Sequence, residues 1–128
     1  MFLFILLNFV KVTEIYSRLS SGWYIISMLI DLIMLISFFL MVFRNPGFIG
    51  QTDETFQSLL ESNEPELLCP ECEVKRTQRS IHCVICGKCV DVYDHHCPWV
   101  DNCIGVNNHL NFMAFIISVF VSMSNSSL

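Results

Sequence analysis

The apolar positions of this chain are gathered into runs instead of recurring at helical or strand period. The run Gly22–Phe43 (GWYIISMLIDLIMLISFFLMVF) holds 22 residues and a single charge, Asp31. As a helix it measures about 33 Å, enough to cross a bilayer core of about 30 Å. Trp23 and Tyr24 at one end and Arg44 at the other suit interfacial anchors. Nothing else in the chain could wrap so apolar a helix inside a soluble core. Two further runs, Met1–Val10 and Leu110–Met123, have ten and fourteen residues. Both fall short of the roughly 17–25 residues that span a bilayer, and both read as cut-off pieces of spanning helices. The first lacks a basic leading region and a small-residue cleavage site, which argues against a signal peptide.

The pattern predicts six segments. They are a partial membrane helix over 1–10, a short non-cytosolic loop over 11–21, a membrane helix over 22–43 and a cytosolic linker over 44–68. A cysteine-rich domain over 69–109 and the start of another membrane helix over 110–124 follow. Arg44-Asn45-Pro46-Gly47 stops the long helix, because Pro cannot continue it and Gly permits a turn. Gln51–Leu68 is polar and acidic and reads as a solvated linker. No internal repeat stands out. Lys11 and Arg18 are the only cations before the long helix, whereas Arg44, Lys75, Arg76, Arg79 and Lys88 follow it. The positive-inside rule therefore sets 44–109 in the cytosol, where thiols stay reduced.

Composition narrows the class. Apolar residues make up 53% of the chain, charged residues 15%, and the mean hydropathy is +0.54. A soluble domain carries about 25% charged residues, and a disordered chain needs low hydrophobicity and high net charge. A net charge of −5 with seven Lys and Arg is the wrong sign for a nucleic-acid surface, so no nucleic-acid partner is expected.

All seven cysteines and all four histidines lie between Cys69 and His109. The order is Cys69-x2-Cys72, His82-Cys83-x2-Cys86-x2-Cys89, Asp94-His95-His96-Cys97 and Cys103. A Cys-x2-Cys pair turns two thiolates toward one zinc. The segment is poor in large core residues, so metal must replace a core. Structural zinc sites are four-coordinate, and two of them need eight ligands. Cys69 with Cys72, and Cys83 with Cys86, are natural halves of two sites that interleave along the chain. Cys89 and Cys103 can add one thiolate to each, which leaves Cys97 over. Spacing does not say which of His82, His95, His96 and His109 complete them.

The spare Cys97 stands beside Asp94, His95 and His96. An imidazole can take the proton of a thiol, and a carboxylate can fix the tautomer of that imidazole. Cys97, His95 and Asp94 would then be nucleophile, base and orienter. The plain alternative is that Cys97 is a seventh metal ligand in another arrangement. A scaffold with two interleaved zincs, as in RING-like ubiquitin ligases, is a rival reading, but it has no reason to spare a cysteine within Asp-His-His-Cys.

The run Asp94-His95-His96-Cys97-Pro98-Trp99, with His82-Cys83, Arg79, Asn102-Cys103-x-Gly105 and Asn108, resembles the DHHC family of protein S-acyltransferases (palmitoyltransferases) from Cys69 through Phe112. Asn45-Pro46-Gly47 resembles the Asp-Pro-Gly motif of that family. The resemblance implies one structural zinc on Cys69, Cys72, His82 and Cys89, and a second on Cys83, Cys86, His96 and Cys103. It implies Cys97 as acyl-accepting nucleophile, His95 as base and Asp94 as orienter. It also implies palmitoyl-CoA as acyl donor, cysteine-containing proteins as acceptors, and residence in an endomembrane or plasma membrane with the zinc domain facing the cytosol.

Two positions depart from the pattern: Asn45 replaces Asp, removing a charge, and Thr77 stands where many members have Pro. The family's fourth helix and its Thr-Thr-x-Glu motif have no counterpart here. That sets a second expectation beside the enzyme, a catalytically incompetent membrane-anchored zinc-binding interaction module. Asp31 is expected to hydrogen-bond a helix outside this chain. Trp99 is expected either at the membrane interface or packed beside the zinc sites, and His109, to which no partner is assigned, is expected to be a surface or interfacial histidine.

Overall fold

The computed structural model describes residues 21–50 and 67–125, which fall into two compact units. The described part of the first runs over residues 21–40 and 111–125. It contains most of α1 (Ser21–Phe43) and most of α2 (His109–Asn125). Ser21 is already helical, one residue inside the segment expected to be loop. Along α1 the buried positions are Ser27, Asp31, Met34, Ser37 and Met41, a single face at helical spacing. On α2 they are Phe115, Ser118 and Ser122. Phe38 and Phe115 meet with ring centroids 5.9 Å apart, and the Ser122 hydroxyl donates to Asp31 Oδ1 at 3.2 Å. One partner of Asp31 is therefore on α2 of this chain, while its buried Oδ2 has no hydrogen-bond partner among the described residues. Most of the large side chains of α1, among them Ile25, Leu29, Leu32, Ile36 and Phe39, are exposed. That outward apolar surface suits lipid and not water. Gly22–Phe43 is long and apolar enough to span a bilayer. The run Met1–Val10 lies outside the described residues.

The second unit is the cysteine-rich one. Three two-residue or three-residue strand pairs follow one another, all antiparallel. These are β1 (Leu68–Cys69) with β2 (Val74–Lys75), β3 (Ile81–Cys83) with β4 (Lys88–Val90), and β5 (His95–Cys97) with β6 (Asn102–Ile104). Hairpins this short are not stable alone and need something besides a core to hold them. The buried residues around them are Cys69, Val74 and Cys89 in one cluster and Cys83, Val90 and Cys103 in another. Both clusters are thus built on sulfur.

The register exposes a repeat that the letters alone hide. The pairs Leu68↔Lys75, His82↔Cys89 and His96↔Cys103 stand fourteen residues apart in succession. So do the turn positions Cys69, Cys83 and Cys97. Each turn ends on a left-handed residue in the same place: Glu73, Gly87 and Asp101, with φ of 54°, 62° and 48°. The sequence reading found no repeat, because the first copy carries Leu and Lys where the other two carry His and Cys.

Residues 44–50, expected to open a linker, are docked on this unit. Phe48 bridges Val90, the Ile49 amide donates to the Cys89 carbonyl, and the Asp91 amide donates to the Gly47 carbonyl. Asn45 Oδ1 accepts from the Gly47 and Phe48 amides at 2.9 and 2.8 Å, a turn that needs no charge on the side chain. Gly47 has a φ of 112°, and a Cβ there would meet Val106 Cγ1 at 2.6 Å. Residues 51–66 of the expected linker lie outside the described residues.

Candidate metal centres and nucleophile

Cross-strand pairing places the ligands. His82 and Cys89 are directly opposite one another, so their side chains share a face. The turn cysteines of the preceding hairpin, Cys69 and Cys72, meet them. One copy later, His96 and Cys103 meet Cys83 and Cys86. In each group the four donor atoms lie within 4.8 Å of one another. His82 Nδ1 stands 3.2 Å from Cys72 Sγ, 3.5 Å from Cys69 Sγ and 3.9 Å from Cys89 Sγ. His96 Nδ1 stands 3.3, 3.6 and 3.8 Å from the sulfurs of Cys86, Cys103 and Cys83. Zinc bonds of about 2.0–2.3 Å give tetrahedral edges of about 3.5 Å, so each set fits the ion. None of the seven cysteines is in a disulfide.

The electrostatics fit a cation as well. For Cys69, burial acts to raise the pKa, but the backbone amides of Cys72 and Glu71 and the thiols of Cys89 and Cys72 outweigh it and bring it to about 7. Cys89 is pushed up to about 12, by burial first and then by Cys69 and Cys72 beside it. Cys83 is lowered, by amides of Cys86 and Ile85 and the thiol of Cys103 against the pull of burial. Cys103 is raised, by burial and by Cys86 and Cys83. Each cluster thus favours one thiolate and resists the next until positive charge joins it, which is what a bound dication supplies.

The outer nitrogen of each histidine has a carboxylate near it, within hydrogen-bond distance only at His82. Glu71 lies 2.6 Å from His82 Nε2, and Asp101 lies 3.9 Å from His96 Nε2. An acceptor on Nε2 favours a proton there and leaves the Nδ1 lone pair for metal. Sequence reasoning missed both acids. The usable signal was position: Glu71 sits within the Cys69-x2-Cys72 turn, and Asp101 closes the third turn.

Cys97 belongs to neither cluster. It is the turn cysteine of the last hairpin, and Val100 stands where the earlier copies have Cys72 and Cys86. Strand alternation turns His96 to one face of β5 and His95 with Cys97 to the other. Cys97 is buried, His95 half-buried. Asp94 Oδ2 lies 3.5 Å from His95 Nδ1 and 3.6 Å from His109 Nε2. His109 is exposed, as expected of a surface histidine, and its ring faces the carboxylate of the Asp-His-His-Cys run. Trp99 is 72% exposed on the turn after Cys97, not packed beside the clusters. Arg79, Lys75 and Lys88 are exposed, and Lys88 Nζ lies 4.8 Å over the Phe48 ring. Thr77 donates its hydroxyl to Asp91 Oδ1 at 2.6 Å, a contact no proline could make.

These features define a class: a membrane-associated protein whose cysteine-rich unit has two four-donor Cys/His clusters and one thiol left outside them. Residues 62–127 match the DHHC palmitoyltransferase family, and the chain belongs to that family. Palmitoyltransferase Hip14 of Drosophila melanogaster is 44% identical over 80 residues, covering 56% of this chain and 13% of the relative. Palmitoyltransferase SWF1 of Saccharomyces cerevisiae is 49% identical over 59 residues, covering 46% of this chain and 18% of the relative. Palmitoyltransferase akr1 of Aspergillus oryzae is 34% identical over 117 residues, covering 85% of this chain and 14% of the relative. The chain thus spans less than a fifth of the length of these curated relatives.

Proposed function

We propose that this chain carries the catalytic module of a protein S-palmitoyltransferase. The observation that carries the reading is the position of Cys97: six cysteines and two histidines complete the clusters, and the seventh thiol is set on the opposite strand face with His95. Cys69, Cys72, His82 and Cys89 hold one structural zinc; Cys83, Cys86, His96 and Cys103 hold the other. The ions supply cross-links that fix the hairpins. His95 accepts the proton of Cys97, and Asp94 orients the His95 ring.

The chemistry is an exchange of thioesters and needs no external energy source. The Cys97 sulfur attacks the carbonyl of palmitoyl-CoA, the bond from that carbonyl to the CoA sulfur breaks, and the CoA thiolate leaves with the proton. A substrate cysteine then attacks the acyl-Cys97 carbonyl, and Cys97 recovers its thiol. Gly22–Phe43 spans the bilayer of an endomembrane or plasma membrane. The cysteine-rich domain of 69–109 lies in the cytosol, where its thiols stay reduced and the CoA head group is soluble. Residues 110–124 enter the membrane again. Exposed Arg79 is suited to the CoA phosphates.

The test is labelling in membranes with alkyne-tagged palmitoyl-CoA. Hydroxylamine-sensitive label is expected on Cys97, and Cys97→Ser is expected to remove it while keeping about two zincs per chain. Label that persists in Cys97→Ser overturns the assignment. A parent chain with both zincs and no label would instead be a membrane-anchored zinc module without transfer activity.

A further inference from the structure

We propose that His109 is a positioning residue for Asp94. The inference rests on the triad read above. A single carboxylate oxygen, Asp94 Oδ2, is approached by two imidazole nitrogens, His95 Nδ1 at 3.5 Å and His109 Nε2 at 3.6 Å. The Asp94 side chain is nearly half exposed, 46%, so His95 alone would leave it free to turn toward water. A second imidazole at ion-pair distance from the same oxygen keeps the carboxylate facing His95.

The backbone makes this meeting a built feature. The Asp94 amide donates to the Ile104 carbonyl at 2.9 Å, and the His109 amide donates to the Gly105 carbonyl, also at 2.9 Å. Both residues are therefore anchored on adjacent peptide units at the end of β6. That end is rigid. Asn108 is fully buried, accepts from the Gly105 amide at 2.9 Å and donates to the Cys103 carbonyl at 2.9 Å. A Cβ on Gly105 would meet the Pro46 carbonyl at 2.6 Å, so residues on either side of it have no slack. Cys103 itself sits in the second cluster. The geometry thus couples the start of α2 to the nucleophile loop through one carboxylate.

The experiment measures the rate at which iodoacetamide alkylates Cys97 in the zinc-loaded chain, located by peptide mass spectrometry. His109→Ala is expected to slow alkylation about fivefold, the scale on which residues in contact couple. His109→Gln, whose amide nitrogen reaches the same place, is expected to restore most of the rate. In an Asp94→Ala background, His109→Ala is expected to change nothing further. Equal slowing in both backgrounds, or no slowing in the parent, overturns the proposal. Loss of zinc in His109→Ala overturns it too, by making His109 a structural residue. If Asp94→Ala leaves the rate at the parent value, the triad fails and His109 loses its role with it. Alkylation that follows the expected pattern in a chain that takes no acyl label upholds His109 and removes only the transferase reading.

Discussion

The two Cys/His clusters are copies of one plan joined to different things. In each, a turn supplies two cysteines, and the next hairpin supplies a histidine and the cysteine opposite it. The first cluster links the first hairpin to the second. The second links the second to the third, and the third is the hairpin that carries His95 and Cys97. A row of three hairpins bonded this way makes two sites and leaves the last turn without a following hairpin to bind. Cys97 occupies that turn. In the function proposed above, the nucleophile is thus a knuckle cysteine that neither cluster uses, and one cluster lies a full hairpin closer to it than the other.

The largest expected effect comes from removing one histidine at a time. Each change, His96→Ala or His82→Ala, should cost one of the two zincs, read by native mass spectrometry. Structural zinc in a small finger is worth about 10–16 kcal/mol of binding free energy, so the hairpins that lose it come apart. His96→Ala frees the strand next to Cys97 and should abolish acyl labelling. His82→Ala leaves β5 and β6 bound through Cys83, Cys86, His96 and Cys103, and should retain a measurable fraction of the label. Equal loss of label in both variants would break the comparison and show that the clusters fold as a single cooperative unit.

Much of this plan was legible in the letters, and the reasons are local. Cys-x2-Cys spacing is a turn geometry written in sequence, and the resemblance to the DHHC family supplied the histidine pairing that spacing left open. The structure brings together the two four-donor Cys/His sets. Other features depend on pairing across strands or on distant segments. The fourteen-residue repeat needed the register to show that Leu68 and His82 are equivalent. His109 lies fifteen positions beyond Asp94 and reaches it only because both lean on Ile104 and Gly105. Asn45 looked like a lost charge, yet its carbonyl oxygen makes the turn that docks Phe48 beside Val90.

Acid should sharpen the comparison next. Without metal, Cys89 holds its proton up to about 12, and burial raises Cys103 as well. At neutral pH zinc must therefore displace these protons, so affinity rises with pH and falls as the solution is acidified. Each proton released makes the apparent affinity change about tenfold per pH unit. Zinc transfer to a chromogenic chelator, followed between neutral and mildly acidic pH, should quicken as pH falls. Release that is independent of pH would mean that the ligand thiols are already ionised in the metal-free chain.

The smallest effect, and the finest test of the copies, lies in the two outer carboxylates. Glu71 is 2.6 Å from His82 Nε2, whereas Asp101 is 3.9 Å from His96 Nε2 and its side chain is 96% exposed. A close carboxylate holds the imidazole tautomer and strengthens the ring as a ligand, and losing such a partner typically costs about 10–100-fold in metal affinity. A solvated acid at 3.9 Å is screened by water and holds little. Glu71→Gln should therefore weaken the first site about tenfold, near the lower end of that range, while Asp101→Asn should change the second site by less than about threefold. Competition with a chelator of known affinity separates these numbers. The asymmetry has a physical sense in the chain: Asp101 must first supply the left-handed turn after Cys97, with φ at 48°, and Asn keeps that conformation. If Asp101→Asn weakened zinc as much as Glu71→Gln, the third turn would be serving its metal site as fully as the first, and the idea of a hairpin freed for chemistry would lose its support.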